Sequence, residues 1–164
     1  IKIGKAKVCT KGKDITIISM SYLTLEAIKA ADFLRKNFQI SAEVIDLRSI
    51  KPMDWSTLFK SIKKTKRVII CDTGFSTNSV ASEIIAKIST DIFHALKSPP
   101  VKLAMPDIPE PTSLSLIEDI YITAETIAKN ILNVLNIKHN KNSLKKLKNL
   151  NPADVPDPDF KGPF

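Results

Sequence analysis

Residues 67–92 read RVIICDTGFSTNSVASEIIAKISTDI: an apolar run, a short polar turn, then an amphipathic pattern. Val68, Ile69, Ile70 and Cys71 form an unbroken, largely β-branched run, as expected of a strand covered on both faces in a parallel sheet. Asp72, Thr73 and Gly74 break it, and Val80, Ile84, Ile85, Ile88 and Ile92 recur at spacings of about four, predicting a helix that packs back onto the sheet. This is half of a βαβ unit. In open α/β sheets, functional groups collect where strand carboxyl ends meet the next helix, so Asp72 to Ser79 is the first place to look for chemistry.

Working outward, the chain alternates between the same two patterns. Lys5 to Cys9 and Asp14 to Ser19 are short β-like runs separated by Lys11-Gly12-Lys13, predicting a hairpin or an edge strand. Leu23, Ala27, Ala31, Leu34 and Phe38 line one side of a helix, with Glu26, Lys29 and Lys36 on the other. Ala42 to Leu47 is the next strand. Asp54 is placed to cap a helix in which Trp55, Leu58, Phe59 and Ile62 form an i, i+3, i+4, i+7 stripe. Val101 to Ala104 makes a last strand, Pro106, Pro109 and Pro111 mark a crossing, and Thr123 opens a final helix lined by Ile127, Ile131 and Leu135. Strands separated by helices of this length predict a three-layer α/β/α domain over residues 1–136: a mostly parallel five-stranded sheet with one antiparallel edge strand. Residues 137–164 read as a Lys-rich linker and a Pro-rich strap.

Composition excludes several function classes. No apolar run approaches the roughly 18 residues of a membrane span. The net charge of +8 is spread out, with nineteen basic and fourteen acidic residues before Ile137 and six Lys against three Asp after it. The basic residues are 22 Lys and 3 Arg, without the Arg-rich helix or aromatic-interleaved stripe of a nucleic-acid reader. The four glycines, Gly4, Gly12, Gly74 and Gly162, build no GxGxxG or phosphate-cradling loop. Cys9 and Cys71 lack metal spacing and read as buried free thiols in a reducing compartment. His94 and His139 have neither nucleophile nor carboxylate beside them in sequence, and Ser19 and Ser21 lack the GxSxG elbow. No catalytic, cofactor-binding or metal-ligating set is expected. The chain, beginning at Ile1, reads as a fragment of a longer protein.

The residues nevertheless carry a specific resemblance. AEVIDLRSIKPMD at 42–54, GKAKVCTKGKDITIIS from Gly4, KKTKRVIICDTG at 63–74 and the Pro-punctuated segment Val101 to Pro111 occur in the order of the C-terminal domain of transketolase-like enzymes. The chain most resembles the beta subunits of thiamine-diphosphate-dependent 2-oxoacid dehydrogenases, to about Asn136. The resemblance implies an intact enzyme using thiamine diphosphate and Mg, with an alpha subunit, a second beta subunit and a lipoyl acyltransferase component as partners. It implies that this fragment alone is inactive and self-associating or sticky in isolation, with Trp55, Phe59 and Phe75 as patch residues. Pyruvate is the default substrate, and bacterial cytoplasm the expected compartment, with mitochondrial matrix or plastid as the alternative. The equivalent domain of transketolase or deoxyxylulose-phosphate synthase is one rival reading, and a stand-alone protein-binding module is another.

Candidate contact residues follow from both readings. Asp46 and Arg48 pair with each other or grip a neighbour, and Glu83 complements its helix dipole or touches a subunit. Asp72, Gly74 and Phe75 lie at the organising turn. Ser98 stands where relatives often carry an acidic residue, and Phe160 and Phe164 are expected to anchor the strap. Ser21 replaces a usual glycine, and Asn78, Ser79 and Ala81 stand where the central helix usually begins glycine-rich.

Overall fold

The computed structural model describes residues 2–117, 120–140, 143, 144 and 147. Five strands alternate with helices: β1 (Lys7–Thr10), β2 (Ile15–Ser19), α1 (Leu23–Phe38), β3 (Ala42–Asp46), α2 (Trp55–Thr65), β4 (Val68–Phe75), α3 (Val80–Asp91), β5 (Val101–Met105), α4 (Leu114–Ile117) and α5 (Ala124–Val134). A 3₁₀ turn, Phe93–Ala95, follows α3 and carries the exposed His94.

The strands form one sheet in the order β1-β3-β2-β4-β5. β2 pairs in parallel with β3, Ile17 opposite Val44, and with β4, Ile17 opposite Ile69; β4 pairs in parallel with β5. Only β1 runs antiparallel, on the edge of β3, with a register break between Val8 and Thr10. The expected antiparallel edge strand is therefore present, but the expected hairpin is not. β1 and β2 are separated by β3, and the chain between them passes across the start of that strand. Gly12 is what allows the passage, because a Cβ there would lie 2.2 Å from the Ala42 carbonyl carbon.

Alternation along the strands supplies the two faces of a three-layer domain. Ile15, Ile17, Val44, Ile69 and Cys71 share a core with α1 and α5, including Leu23, Ala27, Leu34, Ile127 and Ile131. Ile18, Ile45, Leu47, Val68 and Ile70 face Leu58 and Ile62 of α2 and Ala81, Ile84 and Ile88 of α3. Each fully buried Ile or Leu side chain contributes about 1.5–3 kcal/mol of transfer free energy, so the sheet centre dominates stability. The first core continues beyond Asn136: Leu144 is buried and Leu147 packs against it.

The helix termini are fixed locally. Asp54, Ser79 and Thr123 cap α2, α3 and α5 by accepting from the backbone amides of Thr57, Ser82 and Thr126. Gln39 and Lys66 close α1 and α2 at positive φ (57° and 63°). Glu26, expected on the outer side of α1, instead accepts the Ala124 amide at 2.7 Å and ties the first turn of α1 to that of α5.

Two features depart from a purely apolar core. Thr16 bonds Ser61 and Thr65 of α2, each at 2.7 Å, and the nearby Glu43 accepts the Gly12 amide at 3.2 Å and pairs with Lys64. Burial raises the Glu43 pKa, but hydrogen bonds from Lys64, Ser61 and the Gly12 amide outweigh it, so the group stays below the ordinary carboxylate range. Both cysteines are free; Cys71 is buried and its thiol pushed up by desolvation, while Cys9 is half-exposed rather than buried. Among the described residues no helix is long and apolar enough to cross a membrane.

Candidate assembly face at the carboxyl edge of the sheet

The parallel strands all end on one rim, and the loops leaving them form its surface. Residues 3–6 join it, because β1 starts where β3 ends: Gly4 donates to Ser49 Oγ at 2.9 Å and Ala6 to Asp54 Oδ2 at 3.2 Å. Eight large apolar side chains are exposed among the described residues, and six of them, Ile3, Tyr22, Ile50, Phe75, Ile108 and Leu116, belong to this rim or to the crossing that follows β5. Only Val8 and Phe93 lie elsewhere. Isolated exposed apolar residues are ordinary, but their concentration on and beside one rim makes it the candidate interaction surface.

A cleft of about 600 Å³ opens in the rim, lined by Ile50, Lys51, Pro52, Met53, Trp55, Val80 and Glu83. Its floor is rigid. The Lys51–Pro52 peptide is cis, and Trp55 packs against Phe59 with ring centroids 5.7 Å apart. Trp55 and Phe59 are half-buried against the second core, and of the three residues expected to form sticky patches Phe75 alone is exposed, by 46%.

Five acidic side chains of the rim are engaged internally. Asp46 holds Arg48 Nε at 3.0 Å, with Arg48 at φ 58°. Asp54 accepts from Thr57 Oγ1 at 2.9 Å, Ser56 Oγ at 3.1 Å and the Ala6 amide; burial opposes its charge, yet these bonds keep its pKa low. The break expected at Asp72, Thr73 and Gly74 is a register irregularity inside β4, which continues to Phe75; Asp72 is buried there, with Oδ1 accepting the Gly74 amide at 2.9 Å and Oδ2 the Ala81 amide at 2.8 Å, so it welds the strand to the first turn of α3. Asp107 accepts the Thr77 amide at 2.9 Å and its hydroxyl at 2.7 Å, bridging the loops after β5 and β4. Glu110 accepts from Tyr121. Tyr22 has its pKa pushed up to about 12 by burial, then by Tyr121, Glu26 and Glu110 nearby.

Asp46, Asp54, Asp72 and Asp107 therefore do not fit a magnesium–diphosphate group: their oxygens serve backbone amides, hydroxyls and Arg48. Among the described residues no cluster of three His, Cys, Asp or Glu is arranged to hold a metal ion.

The predicted contact residues are not brought to one place. Asp46, Arg48, Asp72, Gly74, Phe75 and Glu83 are on or beside the rim, and Glu83 enters the cleft wall. Ser98 lies in the connection leading into β5, with its hydroxyl buried and without a hydrogen-bond partner. Phe160 and Phe164 fall outside the described residues. Tyr22, Ile50, Ile108 and Leu116 were not singled out by sequence; the signal for Ile50 and Ile108 is a lone apolar residue between polar or Pro neighbours in a strand-to-helix connection. At two positions with substituted glycines the special backbone survives, Ser21 at φ 54° and Asn78 at φ 52°.

Comparison with known proteins agrees with this architecture. The family described as transketolase, C-terminal domain, matches residues 4–127. The pyruvate dehydrogenase E1 component subunit beta, mitochondrial, of Chaetomium thermophilum is 39% identical over 127 residues, covering 77% of this chain and 33% of that protein. Subunit beta-1, mitochondrial, of Arabidopsis thaliana is 40% identical over 127 residues, covering 73% and 35%. The corresponding beta subunit of Cyanidium caldarium is 35% identical over 133 residues, covering 81% and 40%. Among solved structures, a split gene transketolase in the form of an inactive beta4 tetramer superposes with a TM-score of 0.72 at 26% identity, covering 85% of this chain and 44% of that one. The chain thus spans about a third of the length of the curated relatives it matches. With the match running from the approach to β1 into α5, across the whole sheet and the rim, the chain belongs to the transketolase C-terminal domain family.

Proposed function

We propose that this chain acts as the non-catalytic C-terminal domain of a 2-oxoacid dehydrogenase beta subunit, with pyruvate as the first substrate to test. The observation that carries the reading is the 39–40% identity to pyruvate dehydrogenase beta subunits across the whole sheet, in a chain that spans a third of their length. The apolar rim supports it, since a domain of an assembled enzyme needs a face for its neighbours. In the intact enzyme, thiamine diphosphate with Mg would supply the decarboxylation chemistry from outside this domain. The residues of the present chain position subunits: Ile3, Ile50, Phe75 and the cleft around Trp55 face the rest of the beta subunit and its alpha partner. A second beta subunit and the lipoyl acyltransferase component complete the proposed partners, and we place the strap with Phe160 and Phe164 among the contacts of the latter. Several relatives carry mitochondrial names, which supports the organellar compartment over bacterial cytoplasm.

Two measurements on the purified chain test this reading. Calorimetry with thiamine diphosphate and magnesium is expected to give no saturable heat at micromolar concentrations, and sedimentation is expected to show self-association that weakens in Phe75→Ser. Micromolar cofactor binding by the chain alone would refute the non-catalytic assignment. A strict monomer at every concentration would remove the rim from it.

A further inference from the structure

The sheet has a second end, opposite the rim, where β2, β3, β4 and β5 begin and the helices between them finish. Backbone hydrogen bonds lace the connections there into one surface. The Lys13 and Asp14 amides both donate to the Ser41 carbonyl at 3.0 Å, the Thr16 amide to the Arg67 carbonyl at 2.9 Å, and the Lys97 amide to the Lys66 carbonyl at 2.8 Å. Lys11 and Lys13 precede β2, Lys66 and Arg67 precede β4, and Lys97 precedes β5, so basic residues follow one another across the sheet. Lys63 joins them from the last turn of α2. All are exposed except Arg67, which is half-buried.

Acids at this end are already engaged. Glu43 holds Lys64 and the Gly12 amide, Asp14 accepts the Ser41 amide at 2.7 Å, and Asp91 pairs with Lys87 at 2.8 Å. Among the described residues none of Lys11, Lys13, Lys63, Lys66, Arg67 and Lys97 has a carboxylate within ion-pair distance. The dipole of α2 accounts for Lys63 and Lys66 at its C-terminus, but Lys11, Lys13 and Lys97 lie in connections. Phe93, 67% exposed, stands in the 3₁₀ turn that leads to Lys97 and is the large apolar side chain exposed at this end.

Like charges held side by side repel one another, and a partner that supplies carboxylates relieves the repulsion. Size and chemistry narrow that partner. Four neighbouring strands span three spacings, about 14 Å, which an extended peptide covers with roughly five residues. Apart from Arg67 the row consists of lysines, point charges that suit carboxylates and lack the planar fork of bidentate phosphate recognition. We propose that this end of the sheet docks an acidic, extended segment of a partner protein, with carboxylates over Lys13, Lys66 and Lys97 and one apolar side chain against Phe93. The surface lies at the other end of the strands from the rim, so both can be covered at once. The docking needs only this chain and stands independently of the function proposed above.

Fluorescence anisotropy on the full chain, with a labelled pentapeptide of four glutamates around a central leucine, tests the docking. Saturable binding is expected, weakening as salt is raised. Lys13→Glu/Lys97→Glu is expected to bind about tenfold more weakly, the factor for two reversed surface contacts. Lys7→Glu/Lys129→Glu makes the same change in net charge away from the row and is expected to bind as the native chain does. Phe93→Ser is expected to weaken the leucine peptide and to leave a peptide of five glutamates unaffected. All five positions are exposed, and a native melting transition in each variant shows that the fold is kept. Absence of saturable binding would overturn the proposal, as would equal weakening in the two charge-reversed variants or an equal effect of Phe93→Ser on both peptides. A single-stranded oligonucleotide of the same charge binding more tightly than the peptide would also overturn it and assign the row to nucleic acid.

Discussion

At Gly12 a single methyl group decides whether the first crossing can form. A Cβ at that position meets the Ser41–Glu43 backbone at 2.2–2.6 Å, and backbone at a strand start cannot move aside as a side chain can. Gly12→Ala is expected to destabilise by at least the ~1–3 kcal/mol typical of overpacking, read as a lower denaturant midpoint with unchanged m-value. Ser21 is the reverse case, a non-glycine residue at φ 54° in an exposed turn. Ser21→Gly is expected to stabilise by up to ~1 kcal/mol, since glycine adopts that region without steric cost. Glu43 predicts the acid limb of stability. Its folded pKa lies below its unfolded value, so its contribution is complete above about 4.3 and disappears as pH falls through the lower folded value. The stability difference between the native chain and Glu43→Gln, measured by urea titration, should therefore be constant from pH 7 to 5 and shrink below about pH 4. A difference that grows on acidification would contradict this sign.

At the scale of elements, what the sequence encodes locally was legible and what depends on distant partners was not. Val68–Cys71 is apolar throughout, and Ile15–Ser19 is buried throughout, because both faces are covered, and Asp54 and Thr123 announced their helices through caps that act over three residues. The partner of β1 was not readable. A short strand's period says which side chains share a face, not which strand lies beside it, and the Lys-Gly-Lys turn suits a crossing as well as a hairpin. Glu26 looked like a solvent-facing helix residue because its partner, the Ala124 amide, is 98 residues away. Asp72 read as the end of a strand that in fact continues to Phe75, and it was not legible as a weld, since its second acceptor role reaches Ala81 across the turn. Asp72→Ala leaves the buried Ala81 amide and the part-buried Gly74 amide without acceptors and is expected to cost about 2–4 kcal/mol, with exchange accelerated first in residues 74–82. Asp72→Asn keeps one acceptor and should fall between.

For the whole molecule, the rim was only partly visible in advance. Phe75 stood out at a strand end, whereas Ile50, Ile108 and Leu116 are single apolar residues in connections, and a lone exposed Ile is unremarkable until folding gathers several on one side. On the function proposed above that gathering serves assembly, while Asp46, Asp72 and Asp107 are engaged in holding the rim's own loops. The central claim is that this domain completes an enzyme whose chemistry lies elsewhere. The direct measurement is 2-oxo acid decarboxylation by an alpha subunit mixed with the N-terminal portion of a beta subunit, with and without the present chain. The account predicts pyruvate turnover with thiamine diphosphate only when the chain is added, lost in Ile50→Glu/Phe75→Glu while that variant keeps its circular dichroism and melting cooperativity. Turnover independent of the chain, or full activity in the double variant, would contradict it.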